Sequence, residues 1–131
     1  MDVFWLNGQK WRVVRVEPNS SALIDRTGRL TVATTEPQSR LICLSKALSG
    51  DDLARVAVHE IAHAAMVSFG MLDEIARWAR PDMRIEAEEW CCNFMADYGM
   101  TVFRTAYALV GPMAWDVLPS ELGRAARMMV K

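Results

Sequence analysis

The sequence predicts an α+β fold: a small, mostly antiparallel N-terminal sheet packed on a central helix, followed by a helical C-terminal part. Three observations carry this. Short β-prone runs, separated by turn residues, fill positions 3–45. The run from 50 to 69 is apolar around most of its circumference, as in a buried helix. Positions 83–109 then continue in helix-forming residues without a proline. Strands first and helices after is the α+β order.

The elements follow in sequence. Residues 3–6 are apolar and β-prone, and Asn7-Gly8 is a hairpin signal because both residues tolerate positive φ. Gln9 to Val16 alternates, with Trp11, Val13 and Arg15 on one face and Val14 and Val16 on the other. Glu17 to Ser21 is a loop, and Ala22-Leu23-Ile24 reads as a strand ended by the turn Asp25-Arg26-Thr27-Gly28. Leu30 to Thr35 and Arg40 to Ser45 are the remaining strand candidates, parted by Glu36-Pro37-Gln38-Ser39. A helix opens with Ser49 as N-cap and Asp51 and Asp52 in its positive first turn, and it stops at Gly70. Met71 to Ala79 is a short helix or ordered loop. After the break at Arg80-Pro81, with Asp82 as cap, a long helix runs from about Met83 to Leu109, weakened at Gly99 and ended by Gly111-Pro112. Met113 to Val130 reads as one or two short helices parted at Pro119, with Ser120 able to cap the second.

Composition bounds the function. A chain of 131 residues, 52% apolar, fits a single domain over residues 1–131 with a modest core. Fifteen basic against sixteen acidic side chains give no electrostatic footprint for nucleic acid or an anionic membrane. The three cysteines, Cys43, Cys91 and Cys92, imply no disulfide framework, since two of them are adjacent. The first residues lack the pattern of a signal peptide, and no stretch has the uncharged apolar length of a membrane span. The expectation is a cytoplasmic, reducing location; oligomeric state is not legible.

The chemistry concentrates in His59-Glu60-Ile61-Ala62-His63, which reads H-E-x-x-H and uses the only two histidines of the chain. On a helix, residues i and i+4 lie one turn apart on one face. Two imidazoles there can grip one zinc ion, and Glu60, beside the first, sits within reach of the metal's water as general base. In the expected helix, Asp52, Arg55, His59, Glu60 and His63 fall along one stripe of an otherwise apolar surface. Buried polarity of that kind is costly unless partnered. Catalytic zinc takes three protein ligands. With no third histidine, the third is a carboxylate or a cysteine. Glu86, Glu88 and Glu89 cluster at the start of the following helix. Glu86, Glu89, Asn93, Asp97, Thr101 and Arg104 share one stripe, which is either the metal face or the solvated face. Glu88 lies above Cys91, Cys92 and Met95 and would be the inward carboxylate in the second case. Cys92 is a further, less favoured ligand.

Residues 51–98 resemble the ImmA/IrrE family of phage-, mobile-element- and stress-linked metallopeptidases, which are minimal gluzincins. That family pairs H-E-x-x-H with a downstream E-x-x-A-N-x-F-A helix. The corresponding run here is Glu89-Trp90-Cys91-Cys92-Asn93-Phe94-Met95-Ala96, in which Asn93 and Ala96 match while Cys92 and Met95 replace Ala and Phe. The resemblance implies a zincin-like domain, a Zn2+ ion held by His59, His63 and Glu89, and Glu60 as general base. It implies cleavage of a peptide bond in a protein or peptide substrate, with a phage or mobile-element regulator as the kind of target. It also implies that an extended peptide adds to a sheet edge, supplied by Thr31–Thr35 or Arg40–Ser45. An oxyanion donor is needed beyond the metal, and among Tyr98, Tyr107 and the arginines the sequence selects none. Two rival functions remain: a zincin-fold protein-binding module with structural or no zinc, and a zinc hydrolase of small amides.

Plainer readings stand beside these. The histidines can be satisfied without a metal, and Cys91 and Cys92 read first as core packing. The five tryptophans read as core and rim. The nine methionines read as an adaptable core or an exposed face near Met128 and Met129. Arg124 and Arg127 read as solvated.

Overall fold

A computed structural model of the chain describes residues 2–117. The expected break at Pro119, the helix capped by Ser120, Arg124, Arg127 and the Met128-Met129 face lie outside the described residues. The chain clusters into two compact units, the first ending at Asp97 and the second beginning at Tyr98.

The first unit is α+β. Strands β1 (Val3–Leu6), β2 (Gln9–Val16), β3 (Ala33–Glu36) and β4 (Leu41–Ser45) form one sheet in the order β1-β2-β4-β3. β1–β2 and β3–β4 are antiparallel, whereas β2 and β4 run parallel, with Val14 opposite Cys43. The sheet is therefore mixed, and its one parallel pair comes from the long excursion between β2 and β4. Asn7 and Gly8 turn the first hairpin with φ of 49° and 73°, the positive pair that a two-residue turn requires. β3 is an edge strand with no strand partner on its outer side among the described residues, while β4 is internal. Of the two edges considered for an added peptide, only the one around β3 is open.

Local polar chemistry overrides β propensity between β2 and β3. Ser20 caps a single 3-10 turn at Ser21–Leu23, accepting from the Ala22 amide, where the sequence pattern reads a strand. Ile24 keeps only an isolated bridge to Leu30. The Thr31 hydroxyl donates to the carbonyls of Leu23 and Ala33, so regular pairing begins two residues later, at Ala33.

Helix α1 (Gly50–Ser68) runs as the sequence predicts, with Ser49 at its N-cap position, Asp51 and Asp52 in the first turn and Gly70 left-handed beyond its end. Ser49 acts there through its backbone, accepting from the Leu53 amide, and its side chain makes no capping bond. The helix is bolted to the first hairpin at its C-terminus. The buried Trp11 indole donates to the Ser68 hydroxyl at 2.7 Å, and the Asn7 amide donates to the Ser68 carbonyl at 2.9 Å. That carbonyl belongs to the last turn, where helix acceptors lack intrahelical partners. Trp11, Ala33, Ile42, Leu44 and Ala64 form the core, flanked by Phe4, Val13, Leu53, Val56 and Val67. Trp11 is fully buried, but Trp5, Trp78, Trp90 and Trp115 are exposed, so one tryptophan of the five builds the core.

Helix α2 (Met71–Trp78) leads to a 3-10 turn at Pro81–Met83 and then to α3 (Arg84–Phe94). Asp82 lies inside that turn, one residue before the Met83 N-cap, rather than capping α3 itself. The long helix expected to Leu109 is interrupted: Met95–Gly99 is a π-helical turn, and α4 (Met100–Val110) follows. The interruption falls at the Gly99 weak point. In the second unit, α4 is followed by a 3-10 turn at Gly111–Asp116, and Phe103 meets Trp115 edge to face at 4.8 Å. No helix among the described residues is long and apolar enough to cross a membrane.

Replacing Ser68 by Ala leaves the buried Trp11 N–H without its acceptor. This is expected to cost about 1–3 kcal/mol, read as a lower urea midpoint at unchanged slope. An unchanged midpoint would contradict the anchoring role.

Candidate metal centre

The α1 stripe places His59 and His63 one turn apart with their rings nearly perpendicular and their Nε2 atoms 3.1 Å apart. His63 and Glu60 are buried although both are polar. Each therefore needs a partner, and each has one.

The partners of His63 come from α3. Glu88 Oε2 lies 2.5 Å from His63 Nδ1, and Glu89 Oε1 lies 3.1 Å from His63 Nε2. Glu89 Oε2 in turn lies 3.2 Å from His59 Nε2. One ligand atom from each of His59, His63 and Glu89 falls within 4.8 Å of the others. Glu88 is outside this group, on the far side of the His63 ring. The two stripes distinguished in the sequence thus both face α1. Glu89 meets the paired Nε2 atoms, and the buried Glu88 grips the opposite nitrogen. A histidine that ligates a metal through one nitrogen commonly has the other held by a carboxylate, which fixes tautomer and ring orientation. Two imidazoles and one carboxylate are also the donor set suited to a catalytic zinc ion. Cys92 is fully buried beneath, with its Sγ 3.7 Å from Met66 Sδ, and all three cysteines are unpaired.

The charges are strongly coupled. Burial works against a positive His63, but its contacts with Cys92, Glu88 and Glu89 outweigh that and push its pKa up to about 12. Burial likewise raises the Cys92 thiol, which stays protonated, so the two carboxylates supply the charge that holds the imidazolium. His59 and His63 hold the Glu89 carboxyl far below the usual range despite partial burial. Glu88 is lowered too: burial opposes this, and His63 and Arg26 overcome it.

Glu60, next to His59, turns toward the sheet. Its carboxylate accepts a very short hydrogen bond from the Thr35 hydroxyl on edge strand β3, which also donates to the Glu60 carbonyl at 3.3 Å. His59, Glu60, His63, Glu88 and Glu89 open on one cleft of about 770 Å³, walled by residues 31–37 and by Asn93 and Asp97 of the following helix. Two arginines line it as well. Arg26 donates to both Glu88 and Glu89, at 3.1 and 3.2 Å, and Arg55 pairs with Asp97 one turn of α1 before His59. Arg55 belongs to the polar stripe read from the sequence, whereas Thr35 and Arg26 were not singled out as site residues. Asp25-Arg26-Thr27-Gly28 announces a turn but not where Arg26 aims, and Thr35 reaches Glu60 only because β3 lies along α1. Tyr98 and Tyr107 belong to the second unit. Comparison of the chain with family models, curated proteins and solved structures returned no match.

The coupled charges set a pH window for the chelator-treated protein. His63, raised, contributes stability that is complete below about 6.5 and lost as pH rises through about 12. Glu88 and Glu89, lowered, contribute stability present above about 4.5 and lost as pH falls through their folded values. Thermal melts should therefore be flat between about pH 4.5 and 6.5 and drop toward pH 3, and Glu88→Gln should flatten the acid limb. Identical acid limbs in the two proteins would contradict the coupling.

Proposed function

We propose that this chain is a zinc-dependent metallopeptidase of the kind its sequence resembles, the minimal ImmA/IrrE-like gluzincins, cleaving a peptide bond in a protein substrate. The observation that carries the reading is the convergence of the His59 and His63 Nε2 atoms with the Glu89 carboxylate, in a cleft that also receives Glu60. In this reading His59, His63 and Glu89 hold the ion, and the role of Glu88 is to orient His63 rather than to ligate. When bound, zinc supplies Lewis acidity to the scissile carbonyl and a lowered pKa to water.

The chain's own residues do the rest. Glu60 accepts a proton from the attacking water and returns it to the leaving amine. Thr35 fixes which way the Glu60 carboxylate faces, through the hydroxyl that β3 projects toward α1. Residues 33–36 wall the cleft and form the open sheet edge, so an extended backbone has hydrogen-bonding groups to run along beside the metal centre. That feature favours a peptide over a small amide, which has no use for a strand edge.

Glu60→Gln keeps an oxygen for the Thr35 hydroxyl but removes the base. Zinc content should match the wild type while peptide cleavage falls by at least about a hundredfold. Cleavage at wild-type rate in the variant would remove Glu60 from the chemistry. Zinc retained by both proteins, with no cleavage of broad peptide libraries by either, would favour a protein-binding module.

A further inference from the structure

Glu88 and Glu89 are successive residues of a helix, so their side chains leave it about 100° apart. Even so, both end on the same imidazole, one at each nitrogen. Two neighbouring carboxylates brought together also repel. The group that reconciles them is Arg26, whose planar fork splits between them: Nη1 donates to Glu88 Oε1 and Nη2 to Glu89 Oε1.

Arg26 is presented by a tightly closed turn. Asp25 Oδ1 accepts from the Thr27 amide, the Thr27 hydroxyl and the Arg29 amide at 2.8, 2.6 and 3.1 Å. The backbone closes the same turn, with Gly28 donating to the Asp25 carbonyl and Asp25 to that of Arg29. The Arg26 side chain is 42% exposed and Glu89 40%. Glu88 is only 10% exposed, but the Arg26–Glu89 pair, open to water on both sides, adds little to fold stability, so stability alone does not account for the second arm of the fork.

We propose that Arg26 is a positioning residue of the metal centre. It keeps Glu88 on His63 Nδ1 and Glu89 at the Nε2 atoms. With Arg26 on Glu89 Oε1, the oxygen nearer His59, Oε2, would be the one left to a cation. The proposal rests on the metal-centre reading above, in which Arg26 is not one of the ligands.

The test uses Co2+ as probe, titrated into chelator-treated wild type, Arg26→Gln and Arg26→Lys. Affinity and the visible absorption band are both read. Groups that orient a ligand typically change metal affinity ten- to a hundredfold when removed. Arg26→Gln should raise the Co2+ dissociation constant by about that factor, and its band should weaken as Glu89 becomes free to chelate through both oxygens. Arg26→Lys should recover only part of the affinity, since an ammonium does not fork across two carboxylates. A lower melting temperature in Arg26→Gln with affinity and band unchanged would mean a purely structural residue and overturns the proposal. Should Arg26→Gln fail to fold, Arg26→Lys decides: wild-type affinity overturns, reduced affinity supports. Absence of Co2+ uptake by the wild type would instead remove the metal centre itself, and the proposal with it.

Discussion

One imidazole gripped by two adjacent glutamates is the constraint on which the rest of the site depends. His63 is buried on α1, and its two nitrogens face Glu88 and Glu89 of α3. Removing either carboxylate would leave a buried polar ring half satisfied. The pairing fixes the rotation of α3 about its own axis, since no other setting brings both glutamates to the same ring. It also fixes which nitrogen of His63 faces His59. Through that choice it sets where a cation would sit and leaves Glu60, the intervening residue, turned toward the sheet.

Such an arrangement is expensive as architecture. Buried charges lose hydration, and a well-packed apolar substitute is often at least as stable. The fold meets this cost with anchors elsewhere. Trp11 and Asn7 fasten the end of α1 to the first hairpin through Ser68, and the Trp11–Ile42–Leu44 core lies against Ala64, the residue after His63. The hairpin, the helix end and the face of α1 that carries His59 and His63 are thus joined through packed and hydrogen-bonded side chains. The loop before β3 serves the site as well: its departures from strand geometry at Ser20–Leu23 and Thr31 lead to the turn that carries Arg26 and to the strand that carries Thr35.

Much of this was legible in the sequence, for reasons that differ by residue. The α1 boundaries follow from Ser49, the two aspartates and Gly70, all local signals. Asn7-Gly8 specifies its turn for the same reason. The strand at 22–24 was misread because Ser20 and Thr31 act through side-chain hydrogen bonds that periodicity does not register. The change to π-helical bonding after Phe94 was visible only as a glycine. At the site, H-E-x-x-H spacing places two imidazoles on one face wherever the helix lies. Which nitrogen of His63 each of Glu88 and Glu89 meets was not legible, because it depends on how α3 is turned against α1, a tertiary quantity. Arg26 is a tertiary partner too, 62 residues from Glu88 in sequence.

The most direct test of the central claim is X-ray absorption at the zinc edge of the zinc-loaded full chain. The geometry described here predicts nitrogen and oxygen ligands only, at about 2.0–2.2 Å, with the outer scattering of two imidazoles. A sulfur ligand near 2.3 Å, which would bring Cys92 into the ligand set, or scattering from a single imidazole, would contradict it.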